Sequence, residues 1–194
     1  MQVLNFRKTL QAGATVAVLA WPFTAQAESN VTTGAGTITA TARVNFSITI
    51  PRFIFLQVGT GTLLAANATI DTIAFTPAVA VVGNGTPVAA TAGSGNLGNG
   101  SVTVRIIGNA GNVTLGATGP ANLTSGGNTI PWTQVSTAIT GGATHPTING
   151  ANATFTAVAN VVNVNGTWTY SYLNTLTPAS GTYTGQVLYT ATTP

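Results

Sequence analysis

Thr37–Ile50 reads TITATARVNFSITI, and over these fourteen residues apolar and polar side chains alternate without a break. Ile38, Ala40, Ala42, Val44, Phe46, Ile48 and Ile50 fall on one face. Thr37, Thr39, Thr41, Arg43, Asn45, Ser47 and Thr49 fall on the other. Successive side chains of a strand point to opposite sides, so the pattern predicts one long half-buried β-strand, whereas helical spacing would scatter the same apolar residues around the circumference. At about 3.3 Å per residue the stretch reaches roughly 46 Å, far beyond a usual strand of about 5–6 residues. It is therefore expected to bend or to serve more than one sheet.

The residues before it bear on where the protein works. Arg7 and Lys8 precede an apolar run through Ala12–Trp21, and Ala25-Gln26-Ala27 has the small-x-small form of a cleavage site. The pattern predicts a secretory signal peptide over 1–27, with an apolar core shorter than the roughly 20 residues of a membrane span. No second span follows it. The mature chain is long enough to bury a core without staples, and the sequence has no cysteine. Stability must then come from packing, from backbone pairing or from other copies of the chain.

Arg43, Arg52 and Arg105 stand against Glu28 and Asp71 after residue 27, a net charge of +1. Three scattered arginines do not make the clustered basic face of a nucleic-acid binder. Charged residues are only 4% of the whole sequence. A surface made of Thr, Asn, Ser and Gly does little to keep copies apart, which favours a subunit of an assembly.

Along the mature chain, Glu28–Gly36 is short, polar and glycine-bearing, as in a mobile arm. Pro51 ends or bends the long strand. Arg52–Val58, RFIFLQV, is apolar on both faces and is expected at the centre of the core. Further strands are expected over Ala68–Phe75, Ala78–Val82, Thr86–Thr91, Ser101–Ile107 and Asn112–Ala117, the last two as a hairpin through Gly108–Gly111. Others are expected over Trp132–Thr137, Asn152–Val158 and Thr182–Ala191. Asn165-Gly166, between Val161–Val164 and Thr167–Leu173, carries the strongest hairpin signal. Eight to ten short strands without an amphipathic helix argue for an all-β fold, an immunoglobulin-like or Greek-key β-sandwich.

Chemistry-bearing residues are scarce. Glu28 lies in the arm and Asp71 stands alone, so no carboxylate pair is available for hydrolysis. His145 is the only imidazole, and a triad of His145 with Asp71 would lack a nucleophile elbow. No metal-ligand cluster and no phosphate-cradling glycine loop is present in the sequence. No catalytic, cofactor or metal residue is assigned, and the protein is not expected to be an enzyme.

Gly181-Thr182-Tyr183-Thr184-Gly185-Gln186-Val187-Leu188-Tyr189-Thr190, preceded by Pro178-Ala179-Ser180, resembles the last strand of bacterial chaperone–usher pilins, especially the archaic spore-coat-U-like branch. Gly181 lies fourteenth from the last residue, where such pilins often carry a glycine. The chain departs from the family in ending on Pro194 without a penultimate aromatic residue and in having no cysteine. Its final strand is also similar to that of WxL-type cell-surface domains.

The pilin resemblance implies an incomplete sandwich completed by a neighbour's donor strand. It implies a periplasmic chaperone and an outer-membrane usher as partners, with a homopolymer on the cell surface supporting adhesion or biofilm. The expected division is a signal peptide over 1–27, a donor arm over 28–42 and a β-sandwich over 43–194. Val31, Ile38, Ala40 and Ala42 are the expected donor residues. Gly181, Tyr183, Val187 and Tyr189 are the expected groove or C-terminal strand. Val44–Ile50 is assigned to the home sandwich, with entry of Val44, Phe46, Ile48 and Ile50 into a neighbour's groove as the alternative. A monomeric surface adhesin or carbohydrate-binding module is the other function considered, and exposed Trp132, Trp168, Tyr170 and Tyr172 would mark it.

Overall fold

The computed structural model describes residues 28–194, so the expected signal peptide lies outside the described residues. The chain divides into a first unit that ends at Thr49 and a compact body, Ile50–Pro194. The body is an all-β sandwich. Its strands are β1 (Ile54–Val58), β2 (Val88–Ala89), β3 (Ser101–Gly108), β4 (Val113–Thr118), β5 (Asn122–Ser125), β6 (Asn128–Pro131), β7 (Val135–Gly141), β8 (Ala153–Phe155), β9 (Val162–Tyr172) and β10 (Leu188–Thr192).

One antiparallel sheet runs β1-β3-β9-β7, with the short β2 continuing β3's side of the long β9. A second runs β10-β4-β8, and β5-β6 forms a separate hairpin. The alternation of β3 predicts its packing directly: Val102, Val104 and Ile106 are buried while Thr103 and Arg105 stay on the outer face. Val113 and Leu115 of β4 and Phe155 of β8 meet them from the second sheet, and Val162 and Trp168 of β9 complete the core from the first.

Several expectations change once the chain is paired. RFIFLQV forms β1 at an edge of the first sheet, because β3 and β9, not β1, carry neighbours on both sides. Ala68–Phe75 forms no strand, yet Ile73 and Phe75 pack on the core from an irregular segment. Ala78–Val82 contains a single 3-10 turn, Val79–Val81. Gly108–Gly111 does not close a hairpin: β3 pairs with β1 and β9 while β4 pairs with β10 and β8, so the turn carries the chain from one sheet to the other.

Asn165-Gly166 is not a turn either. β9 passes through it unbroken, with Asn165 opposite Arg105 and Gly166 opposite both Val104 and Gly141. The glycine answers to space instead of to turn geometry. A Cβ on Gly166 would lie 2.6 Å from the Thr140 carbonyl oxygen and 3.0 Å from the Ala143 methyl. Gly166→Ala is accordingly expected to destabilise the body by about 1–3 kcal/mol, the usual cost of overpacking, measured as a lowered urea midpoint. An unchanged midpoint would contradict the close packing of β7 on β9.

Candidate functional site

The core is sealed along β3 and β4 and less completely covered at the sheet edges, those formed by β1 and β10 among them. Val104, Ile106, Val113 and Leu115, on the inner strands, are completely buried. Their register partners at the edges are not. Val58 and Leu56 of β1, opposite Val104 and Ile106, and Ala191 of β10, opposite Leu115, point to the same core yet remain half-buried. Tyr189 of β10 shares that state.

The two edges run beside each other. Arg52, just before β1, donates to the backbone oxygen of Pro194, just after β10, at 2.6 Å. Asn109 holds the approach to β1 in place: its Oδ1 accepts from the Phe53 N–H at 2.9 Å and its Nδ2 donates to the Pro51 carbonyl at 2.8 Å. Between these anchors, Phe53 and Ile54 border a shallow apolar hollow of about 290 Å³ with Ala110 and Thr193. Among the described residues β1 pairs only with β3, and β10 only with β4. Each therefore keeps an outer row of backbone groups outside any ladder, a template for a further strand.

The segment before the body has a structure of its own. No strand is formed over residues 28–53. Arg43 grips Glu28 with Nε at 2.7 Å and Nη2 at 3.1 Å from the two carboxylate oxygens, and Thr32 Oγ1 donates to the Thr39 carbonyl at 3.1 Å. Both pairs are symmetric about the Ala35-Gly36 bend, so Glu28–Arg43 folds back on itself. The guanidinium holds the Glu28 carboxyl below its ordinary range. Val31, Ile38, Ala40 and Ala42 are all exposed.

Val44, Phe46 and Ile48 continue the row, with Phe46 89% and Ile48 86% exposed. Residues 44–49, expected in the home sandwich, belong to the first unit. No ladder of the body includes them, and the boundary expected at residue 43 falls at Ile50.

Of the expected C-terminal groove residues, only Tyr189 belongs to β10. Gly181 and Tyr183 lie before the strand, where Thr184 pairs with Thr124 of β5, and Gly181 packs against Ser125. Val187 sits just outside β10, half-buried beside Gly119. Leu56 and Val58 are not among the expected interface residues, although the two-faced apolar character of RFIFLQV marks that stretch, and Ala191 closes the expected last strand on the face of Tyr189.

The rings that would form a ligand platform are turned inward. Trp168, Tyr170 and Tyr172 are buried, and Trp132 packs on Gly119 and Gly185 while its indole N–H donates to the Pro120 carbonyl at 2.7 Å. Asp71 accepts from the backbone N–H and hydroxyl of Thr60. His145 contacts Tyr170 and Tyr189. The two residues of the hypothetical triad are thus engaged in separate hydrogen-bond groups.

No family model, curated protein or solved structure matches the chain.

Proposed function

We propose that this chain is a structural subunit of a bacterial extracellular filament, polymerising by donation of its N-terminal segment to the β1-β10 flank of the next copy. The carrying observation is the incompletely buried inner row of that flank, Leu56, Val58, Tyr189 and Ala191, beside sealed neighbours on β3 and β4. The segment ending at Ile50 has the matching period: Val44, Phe46, Ile48 and Ile50 recur every second residue, as a strand inserted between two sheets requires. Donation therefore extends through Val44–Ile50 and is not confined to Val31–Ala42.

Such an insertion satisfies two needs together. Backbone groups of β1 and β10 gain ladder partners, and each large side chain removed from water contributes roughly 1.5–3 kcal/mol of gross burial. A flank left open during export needs a temporary occupant, which is where a periplasmic chaperone and an outer-membrane usher enter this proposal. Buried Trp168, Tyr170 and Tyr172 weigh against a carbohydrate-binding module, whose contacts need rings in reach of solvent.

Negative-stain electron microscopy of native surface material and of the purified mature chain, with size-exclusion chromatography, tests the proposal. Filaments containing this chain are the expected result. A dispersed monomer in both preparations would overturn it.

A further inference from the structure

The one histidine of the sequence stands between the two sheets. His145 lies on the connection from β7 to β8, with its ring edge-on to Trp168 at 4.5 Å between centroids and 71° between planes. The rings of Tyr170 and Tyr189 are 5.8 Å and 5.6 Å away, at 80° and 78°. Its Nε2 lies 2.9 Å from the Tyr189 hydroxyl and 3.4 Å from that of Tyr170, and the two hydroxyls are 2.9 Å apart. Trp168 and Tyr170 belong to β9, whereas Tyr189 belongs to β10, the strand at the open flank. The imidazole is thus the polar joint between the first sheet and that edge.

A count of protons shows which ring state fits. Two hydroxyl hydrogens serve the three atoms if Tyr170 donates to Tyr189 and Tyr189 donates to an unprotonated Nε2. With Nε2 protonated, the ring donates to Tyr189, Tyr189 donates to Tyr170, and the Tyr170 hydroxyl has no acceptor within the cluster. A positive charge would also enter a pocket walled by Trp168, Tyr170 and Tyr189, with no carboxylate among these neighbours. The sequence has only two acids, and both are engaged elsewhere: Glu28 with Arg43, Asp71 with Thr60. Burial holds the His145 pKa down to about 4, against the partial opposition of a bond to the Pro146 backbone.

We propose that His145 is an acid-sensitive latch on β10: a proton entering the ring unfastens the edge strand from the first sheet. The latch acts within one chain. Only its further effect, loosening of contacts made through the β10 flank, rests on the strand-donation proposal.

The imidazole proton resonance of the mature chain is unambiguous because there is one histidine, and it is expected to titrate well below 6.5. Folded protein refuses a proton that the unfolded chain accepts, so stability is full above about 6.5 and is lost as pH falls toward about 4. Between pH 7 and pH 5 the unfolding equilibrium constant is expected to rise about tenfold, after allowance for the partial exposure of the ring. Hydrogen exchange, corrected for intrinsic rates, should show Leu188–Thr192 losing protection before Ser101–Gly108. His145→Gln, which keeps an acceptor but cannot titrate in this range, should flatten the dependence.

A resonance titrating near 6.5, or β10 protection lost no earlier than that of β3, would overturn the latch. An equal pH slope in His145→Gln would do the same. If that variant does not fold, the titration and exchange of the unmodified chain still decide the matter. All these measurements are made on monomer, so they stand or fall independently of filament formation.

Discussion

Replacing Phe46 and Ile48 together by arginine is expected to abolish polymer while leaving the body's unfolding midpoint unchanged. Both side chains are almost fully exposed in the monomer, and substitutions at such positions usually alter stability by no more than about 0.5 kcal/mol. In the assembled state the same positions would lie between two sheets, where two unpaired charges cannot be accommodated at any comparable cost. The two effects are therefore separated by more than an order of magnitude in energy. A synthetic peptide of Thr37–Ile50 provides the complementary measurement. It should occupy the open flank, block growth of the unmodified chain, and raise the midpoint of the double variant by the linkage of a ligand that binds only folded protein. Normal filaments from the Phe46→Arg, Ile48→Arg chain would remove this segment from the joint.

Trp168→Ala carries the second large effect, and here the loss falls on the monomer. Trp168 is completely buried, its indole N–H donates to the Ala143 carbonyl at 2.6 Å, and its ring packs on His145 and Tyr189. It stands on β9 opposite Val102 of β3 and Ile139 of β7, so one ring joins three strands to the second sheet. Removing it leaves a cavity and an unpaired carbonyl, at a cost of about 3–5 kcal/mol. Set against the roughly 5–15 kcal/mol of a typical domain, with no disulfide to compensate, much of the stability is lost. Urea unfolding followed by circular dichroism measures it. A loss below about 1 kcal/mol would mean that this ring is not the centre of the core.

The contrast between the two predictions shows where local pattern is informative. SVTVRII has one apolar face and became β3 with that face sealed; VNVNGTWTYSY keeps its inward row through a glycine and became β9. The TITATARVNFSITI row is equally regular, yet it forms no strand among the described residues. Alternation states which side chains want burial, not which partner supplies it. In the same way, Asn-Gly has the composition of a hairpin turn, but the close approach of Thr140 and Ala143 accounts for Gly166 in the middle of a strand.

Composition and period-two alternation by themselves determined the all-β class, the scarcity of groups able to do acid–base or metal chemistry, and the apolar face of the segment before Pro51. These are properties of neighbouring residues, set by the geometry of an extended backbone. Tertiary structure alone decided that β1 and β10 are edges lying side by side, that Val44–Ile50 forms no strand among the described residues, and that His145 bridges β9 to β10. Each of these depends on which distant strands compete for the same ladder positions, and that competition is settled only when the whole sandwich packs.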